Sequence, residues 1–186
     1  MNTTDRLIHN YERFVKLPWQ AGLAGPQRVW FAVYPPTEER RVRAKLQQFE
    51  MDTRAADHRW HVVDLTTEFG AWLGQHEYRD AYFEDPTALS SVEDEFRDHV
   101  VARLREECSR AEADANAVVA VLGIGSIFGF ASVSDVVAKV EASIRGRLLI
   151  FFPGEHRSQR YRFMDARDGF NYMAVPITCA AEVFAA

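Results

Sequence analysis

Along the chain, stretches in which apolar residues recur every three or four positions alternate with short runs that are apolar without interruption, predicting helices and buried strands in turn. Thr4 opens the first amphipathic stretch, which places Leu7, Ile8, Tyr11, Phe14 and Val15 on one face through Lys16 before Pro18 closes it. VWFAVY, residues Val29 to Tyr34, has no polar face and predicts a strand covered on both sides, ended by Pro35 and Pro36. Thr37 begins a charged helix, TEERRVRAKLQQF, with a narrow seam of Val42, Leu46 and Phe49. WHVVDL, from Trp60 to Leu65, predicts a second strand and leads into a short helix containing Phe69, Trp72 and Leu73. Residues 75 to 90 are polar with interspersed aromatics and carry Asp85-Pro86, the pattern of a long connection.

Ser90 with Glu93, and Ser91 with Asp94, both fit a capping box ahead of Val92, Phe96, Val100, Leu104, Cys108 and Ala111, which repeat at helical spacing. AVVAVL (Ala117 to Leu122) predicts a third strand. Beyond the glycines that follow, Ser132 and Asp135 cap a helix with Val133, Val136, Val137, Val140 and Ile144 inward and Gly146 in the place of a C-terminal cap. RLLIFF (Arg147 to Phe152) is the fourth strand and PGEHRSQR a polar loop. YRFM and NYMAVPI are two further extended segments around the turn-like DARDG.

Doubly covered strands separated by helices predict an α/β fold. The expected form is a mostly parallel five- to six-stranded sheet with helices on both faces, Rossmann-like or P-loop-like in topology. A chain of 186 residues with no break in composition is expected to form one domain spanning 1–186. The uncharged stretch Asn116 to Ser134 raises a membrane span of about 20 residues, but its glycines and serines and the flanking Asp114 and Asp135 favour a buried strand and loop. A net charge of -5 argues against a protein built chiefly to neutralise nucleic-acid phosphates. Two distant cysteines and a polar opening segment suggest neither a disulfide framework nor a secretory signal, so the expected location is the cytoplasm.

Ligands in such sheets bind beyond the carboxyl ends of the strands. That selects Pro35 to Thr37, Asp64 to Thr67, Gly123 to Gly129 and Pro153 to Arg160. The glycine segment VLGIGSIFGF fails the dinucleotide fingerprint, because its third glycine comes one place late at Gly129, and lacks the lysine of a phosphate-binding P-loop. Its apolar residues Ile127, Phe128 and Phe130 suit a corner packed on the sheet. Ser126 lacks the flanking glycines of a nucleophile elbow.

Asp64 at a strand end is either a catalytic or metal-binding carboxylate or the cap of the next helix. Together with Glu155, His156, Asp165 and Asp168 it would form a magnesium or manganese site for phosphoryl transfer or nucleic-acid cleavage if their loops converge. DARDG reads equally as an Asx turn with Arg167 bridging a carboxylate. The remaining histidines are scattered without zinc-site spacing. Arg40, Arg41, Arg43 and Lys45, with Arg28 near in sequence, interleave with Glu38, Glu39 and Glu50 as a salt-bridged solvent face. Tyr78, Tyr82 and Phe83 on a polar connection either cover the core or anchor a partner.

FFPGEHRSQRYRFMDARDGFNYMAVPIT from Phe151, with VWFAVYPPTEERRV near the start and GIGSIFGFASVSD in the middle, resembles the BrxB component of BREX bacteriophage-exclusion systems over essentially the whole chain. The block FPGE followed by YRxxDARDGxNYxAVPI carries most of that resemblance. The chain departs from the family pattern at Gly129, Ala131 and His156. The resemblance implies a cytoplasmic, non-catalytic subunit without a cofactor, working beside a DNA methyltransferase, a large ATPase and the phosphatase-like PglZ, the last being the implied docking partner. Direct nucleic-acid contact and membrane association are not expected. The surface this reading selects comprises Tyr78, Tyr82, Phe83, Glu155, Arg157, Arg160, Arg162, Asp165, Arg167 and Asp168.

Overall fold

The computed structural model describes residues 1–110, 112–164 and 172–180. Six strands form the sheet: β1 (Val29–Tyr34), β2 (Arg59–Asp64), β3 (Ala117–Leu122), β4 (Arg147–Arg157), β5 (Arg160–Phe163) and β6 (Val175–Ile177). Their order is β2-β3-β4-β1-β6, every neighbour in that row is parallel, and β5 pairs antiparallel with β4 off the row. The expected α/β architecture is what the chain forms.

Alternation along the strands divides the core into two layers. Phe31, Val33, Val119, Val121, Leu148, Ile150 and Phe152 pack with α6 (Glu93–Ser109) and α7 (Val133–Val140) through Val100, Leu104, Val136 and Val140. Trp30, Ala32, Tyr34, Val118, Ala120, Leu149 and Phe151 face α1 (Thr3–Val15), α2 (Glu39–Ala44) and α3 (Leu46–Ala55) through Leu7, Tyr11, Val42 and Phe49. The central strands β1 and β3 are buried at every position because helices lie on both sides; β2, at the edge of the sheet, is buried only at Val63. Between them α4 (Glu68–Gln75) and α5 (Arg79–Glu84) carry the chain from β2 towards α6.

Several element ends differ from expectation. Asn2, not Thr4, caps α1 by accepting the Asp5 amide at 2.9 Å, leaving the buried Thr4 hydroxyl to donate to Glu38 at 2.7 Å. The charged helix after Pro36 breaks at Lys45 into α2 and α3. The long connection contains α5 and a 3-10 turn over Pro86–Val92, and Ser90 and Ser91 bond back to the Thr87 and Ala88 carbonyls instead of capping α6. Ser132 occupies the N-cap position of α7, but its hydroxyl meets that of Ser134. Gly146 is no left-handed cap: α7 ends six residues earlier, and a side chain at 146 would collide with the Ala117 carbonyl where β3 and β4 begin. Among the described residues no helix is long and apolar enough to cross a membrane.

Candidate functional site

All four strand ends singled out by the sheet rule meet at one crevice of about 330 Å³, lined by Pro36, Arg43, Thr66, Gly123, Ser126 and Pro153 among others. Gly123 turns the chain here with φ +71°, and a Cβ at this position would sit on the Thr66 amide, so the glycine segment is locked against the β2–α4 turn. Packing, not phosphate geometry, accounts for it. The Ser126 hydroxyl on the crevice wall is buried and meets no partner among the described residues.

The charges of the crevice answer one another. Arg43 donates to Glu39 at 2.6 Å, to the Thr66 hydroxyl at 2.8 Å and to Asp64 at 3.4 Å, while the Tyr34 hydroxyl donates to the other Glu39 oxygen at 2.6 Å. Asp64 also accepts the Thr66 amide at 2.9 Å and the Thr66 hydroxyl, which closes the turn after β2 and does not cap α4, whose N-cap position is Thr67. Burial works to raise the Asp64 pKa, but the Thr66 hydrogen bonds and the Arg43 guanidinium outweigh it and hold the carboxyl below its ordinary value. Burial and then Glu39 raise the Tyr34 pKa, so its phenol stays protonated.

The segment expected as a polar loop after β4 is instead a hairpin. β4 runs on to Arg157, turns through Ser158 and Gln159 at φ +49° and +63°, and returns as β5. Two consecutive left-handed residues match the twist of a two-residue turn. Gly154 permits the close return, since a side chain there would strike the Arg162 carbonyl. Glu155 stands opposite Arg162, His156 opposite Tyr161, and Arg157 opposite Arg160. Cross-strand partners share a face, so Tyr161 and Phe163 turn into the core and Glu155, Arg157, Arg160 and Arg162 turn outward. Glu155 pairs with Arg162 at 2.8 Å and Arg157 at 3.6 Å; Arg160 meets no acid among the described residues. Arg160 borders both the cleft of about 260 Å³ between these charges and a second of about 710 Å³ that reaches Tyr172 and Met173.

The candidate residues thus divide among places. Glu155, Arg157, Arg160 and Arg162 share the hairpin's outer face, whereas His156 lies on its inner face against the Tyr161 ring, and burial lowers its pKa. Tyr78 and Phe83 are 59% and 64% exposed on and beside α5, but Tyr82 packs edge-on to His76 at 5.2 Å. Asp165, Arg167 and Asp168 lie outside the described residues. Asp64 sits at the crevice and not with Glu155, and among the described residues no three His, Cys, Asp or Glu side chains gather as metal ligands. Three of the histidines instead sit on separate carboxylates, His61 on Glu107, His76 on Glu95 and His99 on Glu68. Arg41 and Arg43 do pair with Glu38 and Glu39, while Arg28 lies at the opposite end of β1 and bonds the Ile144 carbonyl. Comparison with known families, with curated proteins and with solved structures gives no match to this chain.

Proposed function

We propose that this chain is a non-catalytic assembly subunit of a cytoplasmic BREX phage-defence complex, and that it docks on another component, PglZ ahead of the ATPase or methyltransferase, through the outer face of the β4–β5 hairpin. The observation that carries the reading is the direct opposition of Arg157 and Arg160 across an exposed two-stranded ribbon. Like charges in that register weaken a hairpin when it stands alone. A partner that presents carboxylates converts the same pair into charge-assisted hydrogen bonds, and in a chain of net charge -5 the positive tip steers the encounter. Of the block that carries the resemblance to BrxB, FPGE lies in β4 and the opening YR of YRxxDARDGxNYxAVPI lies in β5. Three arginines, two of them already paired with Glu155, are few beside the roughly 6–10 phosphate contacts of a salt-sensitive DNA-binding surface, which favours an acidic protein over nucleic acid.

Affinity capture of the tagged chain from cells expressing the complete defence locus, with masses by light scattering, tests the reading. One stoichiometric companion, released by high salt, is expected. A chain that emerges alone, or that elutes with DNA and is freed by nuclease, overturns it.

A further inference from the structure

At the amino ends of the strands Arg147 opens β4 and is only 6% exposed. Its guanidinium lies 4.6 Å from the Trp19 ring centre and 5.8 Å from that of Trp30. Its hydrogen bonds run to two carbonyls, Gly146 at 3.0 Å and Gln20 at 3.3 Å. No carboxylate pairs with it among the described residues. Burial, and after it the like charge of Arg28, lower its pKa, and the partners that face the cation are the two indole rings and the two carbonyls, none of them an anion. A buried guanidinium is ordinarily paired with an anion. The Trp19 indole N–H is likewise buried, with no acceptor among the described residues. Both residues line one cavity of about 220 Å³, whose other walls are mostly apolar, Phe14, Leu17, Trp30 and Val175 among them, with Gln20 and Gln27 at its edge.

We infer that this cavity binds a small monocarboxylate on a flat apolar body, with the carboxylate on Arg147 and the ring among the tryptophans. A buried cation with no carboxylate among the described residues, beside an indole N–H with no acceptor among them, calls for an oxyanion, and Arg147 keeps N–H donors beyond the two it gives to carbonyls. The apolar walls call for a ring beside it. An apolar cavity of about 150 Å³ admits benzene, so the volume here accommodates one ring and its carboxylate. An acidic side chain of a peptide carries the same group, and the test separates the two sources.

Titration of the intact chain with benzoate, with benzamide as its uncharged counterpart, is read by heat and by tryptophan emission. Benzoate is expected to bind saturably at one per chain, with benzamide about tenfold weaker or more. Trp19→Phe, which keeps the ring and deletes the N–H, is expected to weaken benzoate about threefold to tenfold, and Arg147→Lys by more. Equal binding of benzoate and benzamide, no binding of either, or an affinity indifferent to both substitutions would overturn the site. A Phe-Glu-Phe peptide that binds where benzoate does not would overturn the small-molecule assignment.

Discussion

At the carboxyl ends of the strands Arg43 is answered by Glu39, Asp64 and Thr66, whereas at the amino ends Arg147 is surrounded by two indole rings and two carbonyl oxygens. The first end holds the crevice where sheets of this kind place ligands, yet its charged side chains are already satisfied by one another. The second lies where the sheet rule does not look, and among the described residues its buried charge meets no anion. Location alone therefore does not mark a binding site; unspent hydrogen-bonding and charge do.

The largest expected difference between the ends concerns their glycines. Gly123→Ala adds left-handed backbone strain of about 1–2 kcal/mol to a collision with Thr66, so a total near 3 kcal/mol is expected in urea unfolding. Gly146→Ala brings collision without that strain and should cost about 2 kcal/mol. Equal losses would remove the distinction. Next come the arginines. Arg43→Ala leaves Glu39 facing Asp64 and is expected to cost about 1 kcal/mol. Arg147→Met relieves an uncompensated buried cation and is expected to leave stability within about 0.5 kcal/mol or to raise it. A loss at Arg147 as large as that at Arg43 would mean its two carbonyl bonds, and not a ligand, explain why it is there.

Smaller effects concern the hairpin and pH. Arg160→Glu turns a like-charge opposition with Arg157 into an ion pair and should stabilise the chain by about 0.5 kcal/mol while abolishing partner capture. The His156 pKa is lowered by burial, so just below the ordinary histidine value of about 6.5 the unfolded chain binds a proton that the folded one does not. Its contribution to stability is present above that pH and is lost as pH falls towards the folded value. His156→Gln should flatten this slope in melts at pH 5 to 7, and an unchanged slope would place the titration elsewhere.

The parallel sheet was legible because VWFAVY, AVVAVL and RLLIFF are apolar at nearly every position, which only strands covered on both faces tolerate. Convergence of the four strand ends followed from topology. The hairpin was hidden because Ser158-Gln159 lacks the Asn-Gly or Asp-Gly that announces such a turn, and because PGEHRSQR is polar enough to pass for a loop. Its alternation of Arg160 and Arg162 with Tyr161 and Phe163 was the available signal. Arg147 gave little sign of itself: one arginine before an apolar run marks a strand boundary as readily as a buried cation. Its tryptophan walls come from positions 19 and 30, which only the fold brings beside it. Asp64 was readable as a backbone-bonding residue near the next helix, though it closes the turn at Thr66 instead of capping α4, and Arg43 as its partner was not readable, being 21 residues away.

Capture of the Arg160→Glu chain from cells expressing the complete locus, alongside its thermal melt, tests the assembly role most directly. The hairpin account expects a fold at least as stable as the original that no longer retains its stoichiometric companion. A variant that keeps the companion at full stoichiometry would contradict it.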